Sequence, residues 1–334
     1  MNVADILHAW GRIITGRAPS LSIEVTRECP LRCPGCYAYD DNHLGGGITL
    51  RQLRDFKGDE LVNGVVSLVR KHKPLHVSLV GGDPLVRYRE MEQIVPQLLG
   101  MGIHVQVVTS AFRPICSDWA DLKNLNVVVS IDGLAEDHDV RRAPATYERI
   151  LRNIQGQNIT VHCTITGQIM KKPGYLDEFS AFWSQVPDVK RIWFSIFTPQ
   201  RGAQLPEILT REERLQAIEQ LVAQRRKFPK LDLPEAAIRE FAHPPASPDE
   251  CIFAQTTATY SADLTSAITP CQFGGDPDCS QCGCIASVAL AAVGRHRLGG
   301  VLPVKHIFNA SLRAGRLVSP PPERPQPSPF PIVQ

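Results

Sequence analysis

The chain has 334 residues, of which 43% are hydrophobic and 21% charged, and 36 Lys and Arg stand against 34 Asp and Glu. A net charge of +2 argues against a broad nucleic-acid footprint, and the composition is that of an ordinary folded protein. No apolar run reaches the roughly 18 residues a spanning helix needs, and the first residues lack the parts of a secretory signal. The expected address is therefore cytoplasmic, where ten cysteines are metal ligands or buried thiols rather than disulfides.

Val3, Ile6, Leu7, Trp10, Ile13 and Ile14 recur at helical spacing and predict an amphipathic helix over about residues 3–15. Two roles are open to it, an interfacial membrane helix or a helix capping the main domain, and the second is preferred because short apolar stripes usually face cores. After Pro19, strands are expected at 21–26, 75–80, 103–109, 126–131, 159–165 and 191–197. Helices are expected near 49–72, 88–101, 115–122, 144–155 and 174–186. Six βα units of this kind imply a parallel sheet, either open and doubly wound or a partly closed barrel. In such barrels the chemistry belongs at the C-terminal ends of the strands.

A charged helix is expected over 210–228, a Pro-rich boundary at 243–249, and an extended or disordered Pro-rich tail from Ser319. The organisation that follows is an N-terminal helix (1–19), a core (20–200), a helical linker (201–245), a small cysteine-rich domain (246–300) and a C-terminal segment (301–334).

Cys29, Cys33 and Cys36 follow the first strand with the spacing C-x3-C-x2-C. Three thiolates on one tight loop can bind three corners of a [4Fe–4S] cube and leave the fourth iron open. Pro30, Pro34 and Gly35 supply the turns. Zinc is the rival, with His43 as the nearest fourth ligand.

The stretch IEVTRECPLRCPGCYAYD resembles the cluster loop of the radical S-adenosylmethionine (SAM) superfamily. The resemblance implies a (β/α)6 partial TIM barrel within an α/β fold. It also implies SAM chelated to the unique iron, and reductive cleavage to a 5′-deoxyadenosyl radical that abstracts hydrogen. The position before the last cysteine, commonly aromatic in the superfamily, is Gly35 here, and Tyr37 follows the cysteine as a candidate contact to the adenine. Gly81, Gly82, Asp83 and Pro84 are similar to the superfamily's GGEP motif, which binds the SAM amino group. Ser130 and Asp132, on one side of the fourth strand's end, are similar to an S-x-D-G motif that contacts the SAM carboxylate or ribose. His138, Asp139 and Arg142 follow it as H-D-x-x-R. Thr109, Ser110, Thr164, Thr166 and Arg201 lie where they could reach the same pocket.

Five cysteines follow the Pro-rich boundary: Cys251, Cys271, Cys279, Cys282 and Cys284, with a β-hairpin expected over 257–270 around Ala262-Asp263-Leu264. The pattern is similar to a shortened SPASM or twitch domain, which implies a second, auxiliary [4Fe–4S] cluster. Zinc on the same cysteines stays open. Cys116 and Cys163 are expected to be buried thiols.

The reading is a radical SAM enzyme, an oxidoreductase or C–X bond-forming catalyst. It would act on a peptide or small metabolite, with peptide maturation the preferred reading, and take electrons from a flavodoxin or ferredoxin. The alternatives are a lipid or sugar substrate and a non-catalytic iron–sulfur or zinc electron carrier.

Overall fold

The computed structural model describes residues 3–318 apart from 46 and 299, so the tail expected from Ser319 lies outside them. Seven strands form one sheet: β1 Ser20–Glu24, β2 His76–Val80, β3 His104–Thr109, β4 Leu125–Ser130, β5 Ile159–Ile165, β6 Val189–Ile196 and β7 Thr257–Tyr260. Their order is β6-β5-β4-β3-β2-β1-β7, with every neighbouring pair parallel. The first six strands are neighbours in chain order, so the sheet is wound in one direction. A doubly wound sheet would reverse direction midway. The fold is the expected α/β partial barrel, open between β6 and β7.

The helices are α1 Val3–Ile14, α2 Gly58–His72, α3 Tyr88–Gly100, α4 Ala135–Arg141, α5 Tyr147–Asn153, α6 Gly167–Met170, α7 Tyr175–Gln185, α8 Arg211–Lys227, α9 Glu235–Glu240, α10 Ile252–Thr256, α11 Ile285–Arg295 and α12 Val304–Val318. Strand alternation sorts the two faces of the sheet. Leu21, Ile23, Val77, Leu79, Val105, Val107, Val127, Val129, Val161 and Ile165 are buried in the outer core. The other face is polar: Gln106 Nε2 donates to Ser78 Oγ at 3.2 Å, and Thr160 Oγ1 donates to Asn126 Oδ1 at 2.8 Å. A hydrophilic inner face suits a barrel whose interior serves a ligand.

Three elements differ from expectation. The helix foreseen from residue 49 starts at Gly58, because Thr49 and Gln52 close a single 3-10 turn in a capping box of their own. At 115–122 only a 3-10 turn forms, at Ser117–Trp119. The hairpin around Asp263 is present, with Ser261 N donating to Ser266 O and Ile268 N to Thr259 O, both at 2.9 Å. Its first arm is in addition β7, paired to β1 from Ser20↔Thr257 to Ile23↔Tyr260, so the expected cysteine-rich segment contributes a strand to the barrel.

α1 packs against α12, with Ile13 buried. Trp10 stacks on Phe308 with ring centroids 5.1 Å apart, and its Nε1 donates to Ser311 Oγ at 2.7 Å.

Candidate active site

β1 carries the chain to the rim of the barrel, and a scaffold fixes the loop that follows. Asp55 accepts from Thr26 Oγ1 at 3.3 Å and from Arg27 N at 3.1 Å, and it pairs with the buried Arg87. Arg87 also reaches Glu28 Oε2 at 3.1 Å. Tyr39 Oη donates to Arg27 O at 2.8 Å, under the guanidinium of Arg51 at 4.2 Å. Between these anchors Cys36 N donates to Cys33 O at 3.2 Å, closing the turn over Pro34 and Gly35. Gly35 has φ +66°, and a Cβ there would lie 2.9 Å from the ring of Phe197. The Phe197 ring, just past β6, fills the space that an aromatic residue at position 35 would enter.

The loop places Cys29, Cys33 and Cys36 within electrostatic reach of one another. Burial first, then Asp83 and the other two thiols, push Cys29 up to about 12. Burial and the neighbouring Cys33 raise Cys36 as well, against the nearby Arg142. Among the described residues no three His, Cys, Asp or Glu side chains converge to hold a single ion. A cube needs no such convergence, since each sulfur binds a different iron. Three soft thiol donors on a pre-fixed loop fit an iron–sulfur cluster. His43 is not available as a fourth ligand for zinc. Its Nε2 meets Glu24 Oε1 and its Nδ1 meets Phe273 O, each at 2.9 Å.

The Gly81-Gly82-Asp83-Pro84 turn lies against this loop. Gly81 and Gly82 have φ +78° and +47°; a Cβ on Gly81 would strike Glu24, and one on Gly82 the carbonyl oxygen of Glu28. Their first duty is thus close packing of the two rim turns. Replacing Gly82 with Ala combines strain and collision, and is expected to cost about 3–5 kcal/mol. Urea denaturation would show it, together with reduced iron uptake. The Asp83 carboxylate, expected at the SAM amino group, is instead enclosed. It accepts from Leu85 N at 3.0 Å, Thr109 Oγ1 at 2.7 Å, Ser110 N at 2.8 Å and Ser110 Oγ at 2.6 Å. Thr109 and Ser110 therefore serve Asp83, which ties the ends of β2 and β3 together. Pro84 opens the 3-10 turn that follows.

Across the rim, Ser130 is buried at the end of β4. Asp132 accepts from Arg141 Nε at 3.0 Å and Arg142 Nε at 2.8 Å through Oδ2, and from Thr164 N at 3.2 Å through Oδ1. Burial opposes its ionisation, but Arg142 and then Arg141 outweigh this and hold its carboxyl well below the usual carboxylate range. Arg141 is shared with Glu207 at 3.0 Å. Arg142 has no second partner among the described residues, and its charge lies beside Cys33 and Cys36. His138 braces the turn, accepting from Asp132 N at Nδ1 (3.3 Å) and meeting Ala145 O at Nε2 (2.8 Å). Thr166 caps α6. Arg201 is 63% exposed, paired with Asp276 at 3.1 Å, and does not enter the pocket.

Two members of the second cysteine group lie at the start of α11: Cys284 precedes it and Cys251 Sγ meets Ser287 Oγ at 3.3 Å. Cys271, Cys279 and Cys282 each sense Cys251, and Cys284 senses Cys282, Cys271 and Cys251; burial is the leading cause of each upward shift. The Tyr37 ring packs against His43 at 5.6 Å, and burial raises its hydroxyl well above the ordinary value. The ring also packs edge-on to Phe273 at 5.3 Å. Cys116 and Cys163 are buried singly, as expected. An open cleft of about 500 Å³ bounded by Arg27, Glu28, Cys29, Pro30, Arg51 and Val86 leads to the first group.

Residues 23–178 match the family model of the radical SAM superfamily. No curated protein sequence matches the chain. The fold is similar to SuiB of Streptococcus suis (15% identity, TM-score 0.54, 77% of this chain and 61% of that one). SuiB bound to its precursor peptide SuiA gives 15% identity and TM-score 0.55 over 95% of this chain and 70% of that one. AnSMEcpe with bound AdoMet gives 14% identity and TM-score 0.55 over 76% and 74%. The chain thus spans less than two thirds of the first of these structures.

Proposed function

We propose that the chain, whose residues 23–178 match the radical SAM superfamily model, is an enzyme of that class in which Cys29, Cys33 and Cys36 hold a [4Fe–4S] cluster that binds SAM. When bound, the cluster and SAM supply reductive cleavage of a carbon–sulfur bond and, through it, hydrogen abstraction from an unactivated carbon. The observation that carries this reading is the anchored rim loop that bears all three thiols, with Asp132-bound Arg142 nearby.

The residues divide the work. Gly81 and Gly82 hold the second rim turn tight against the cluster loop, leaving main-chain carbonyls to meet an ammonium group. Arg142, oriented by Asp132, keeps guanidinium nitrogens for a carboxylate, the planar match that arginine makes best. Asp132 thus acts as a positioning residue behind Arg142, with Ser130 beside it as a neutral donor. Replacing Arg142 with Gln is expected to weaken SAM binding by about thirtyfold or more. Equilibrium dialysis reads this, and an unchanged iron content shows that the loop is intact.

The second group, Cys251, Cys271, Cys279, Cys282 and Cys284, is proposed to hold an auxiliary [4Fe–4S] cluster, with zinc as the competing occupant. The substrate is proposed to be a peptide, because the fold is similar to SuiB with its precursor peptide bound; a small metabolite is the alternative. A flavodoxin or ferredoxin is the proposed electron source. Anaerobically reconstituted protein given dithionite and SAM should form 5′-deoxyadenosine and methionine. Intact SAM after reduction of a loaded cluster would refute the reading.

A further inference from the structure

One side of the molecule combines basic and apolar exposure in a way the barrel chemistry does not use. It is the layer made by α1, α12 and the C-terminal part of α11. Residues 3–18 and 285–318 hold seven Lys and Arg against one acidic residue, Asp5, in a chain whose total net charge is only +2. The remainder of the protein is therefore net acidic, and the positive charge is gathered on one side. Arg17, Arg297, Lys305, Arg313 and Arg316 are exposed and form no ion pair among the described residues. Arg295 is the exception, meeting Glu240 at 2.8 Å.

The same layer carries most of the exposed large apolar side chains. Of eleven such residues among those described, seven are here: Leu7, Ile14, Val293, Val301, Leu302, Leu317 and Val318. Leu317 is 88% exposed and Leu7 65%. These are not the residues that join the helices, since the inward stripe is satisfied by Trp10, Ile13, Phe308 and Ser311. Leu7 and Ile14, at the edge of the α1 stripe, and Leu317 and Val318, at the end of α12, remain exposed. A soluble surface normally scatters its exposed apolar residues and mixes charge signs.

We propose that the α1–α12 face docks on an anionic lipid bilayer. Arginines and Lys305 would meet the headgroups while Leu7, Ile14, Leu317 and Val318 enter the acyl boundary. Both components are needed for an interfacial helix, and with seven basic residues against one acidic residue in these segments little repulsion opposes it. Nucleic acid would be attracted by the charge, but gives no role to the apolar side chains. A second copy of the chain would cover those side chains but would bring the same positive charge against itself. No helix among the described residues is long and apolar enough to cross a membrane, so the contact is peripheral. The face lies at the far end of α11, the helix that starts after Cys284, roughly 16 Å along its axis.

The test uses the full chain without purification tags in vesicle flotation. The protein should float with vesicles containing phosphatidylglycerol, not with pure phosphatidylcholine, and should release as salt is raised. Arg313→Glu with Arg316→Glu should lower the affinity at least about tenfold. Ile14→Ser with Leu317→Ser should lower it severalfold at unchanged salt sensitivity, with unfolding temperatures confirming that both variants fold. Three results would overturn the proposal: no flotation with the anionic vesicles, equal flotation of wild type and the charge-reversed variant, or a concentration-dependent dimer or bound nucleic acid in place of vesicle binding.

Discussion

Replacement of Cys33 by alanine is expected to abolish SAM cleavage and to remove about four of about eight reconstituted irons. A cube held by three thiolates has no substitute donor at this corner. His43 is committed to Glu24 and Phe273, and Asp83 is enclosed by Thr109 and Ser110. The loop itself should persist, because Asp55, Arg87 and Tyr39 anchor it independently of any metal. Iron and sulfide analysis beside circular dichroism separates the two effects. The variant should keep its fold, keep the second group's share of iron, and produce no 5′-deoxyadenosine above background. Full iron content in this variant would show that Cys33 is not a ligand.

The second large effect concerns stability. Asp132 is the shared anion for Arg141 and Arg142 and accepts from Thr164 N. Removing its charge by Asp132→Asn leaves two half-buried guanidinium groups without it, and Arg141 alone has a further partner in Glu207. Breaking a buried pair in this way is expected to cost about 3–5 kcal/mol. The double variant with Arg142→Gln should cost less than the two single losses together, because the two residues share one interaction. The native carboxyl is depressed, so its contribution is complete above the ordinary carboxylate range and is lost only as pH falls through the lower native value. Urea denaturation should therefore show the full difference between wild type and Asp132→Asn at pH 7 and at pH 5, shrinking only in stronger acid. A difference that vanished by pH 5 would contradict the depressed carboxyl.

The features legible in the sequence were those carried by contiguous residues. Short β-rich runs alternating with helical stretches located all six core strands. The three-cysteine loop and the turn at Gly81-Gly82 were visible because spacing and strand position coincide. Contacts between distant segments were not visible. Nothing local to Thr257-Ala258-Thr259-Tyr260 says that it pairs in parallel with β1. The pairing of Glu24 with both His43 and Ser261 spans 19 and 237 residues and emerges only when β1 and β7 meet. Asp83 looked like a ligand-facing carboxylate because its partners at 109 and 110 come from the next strand. The H-D-x-x-R run after Ser130-Ile131-Asp132-Gly133 was present, but the pairing of Arg142 Nε with Asp132 could not be told from an exposed charged loop.

The most direct measurement is electron paramagnetic resonance of the anaerobically reduced protein before and after addition of SAM. The three-thiol site predicts a reduced-cluster spectrum that changes when SAM binds the open iron, and a Cys33→Ala protein whose remaining signal does not respond. A wild-type spectrum indifferent to SAM, or a response that survives loss of Cys33, would contradict it.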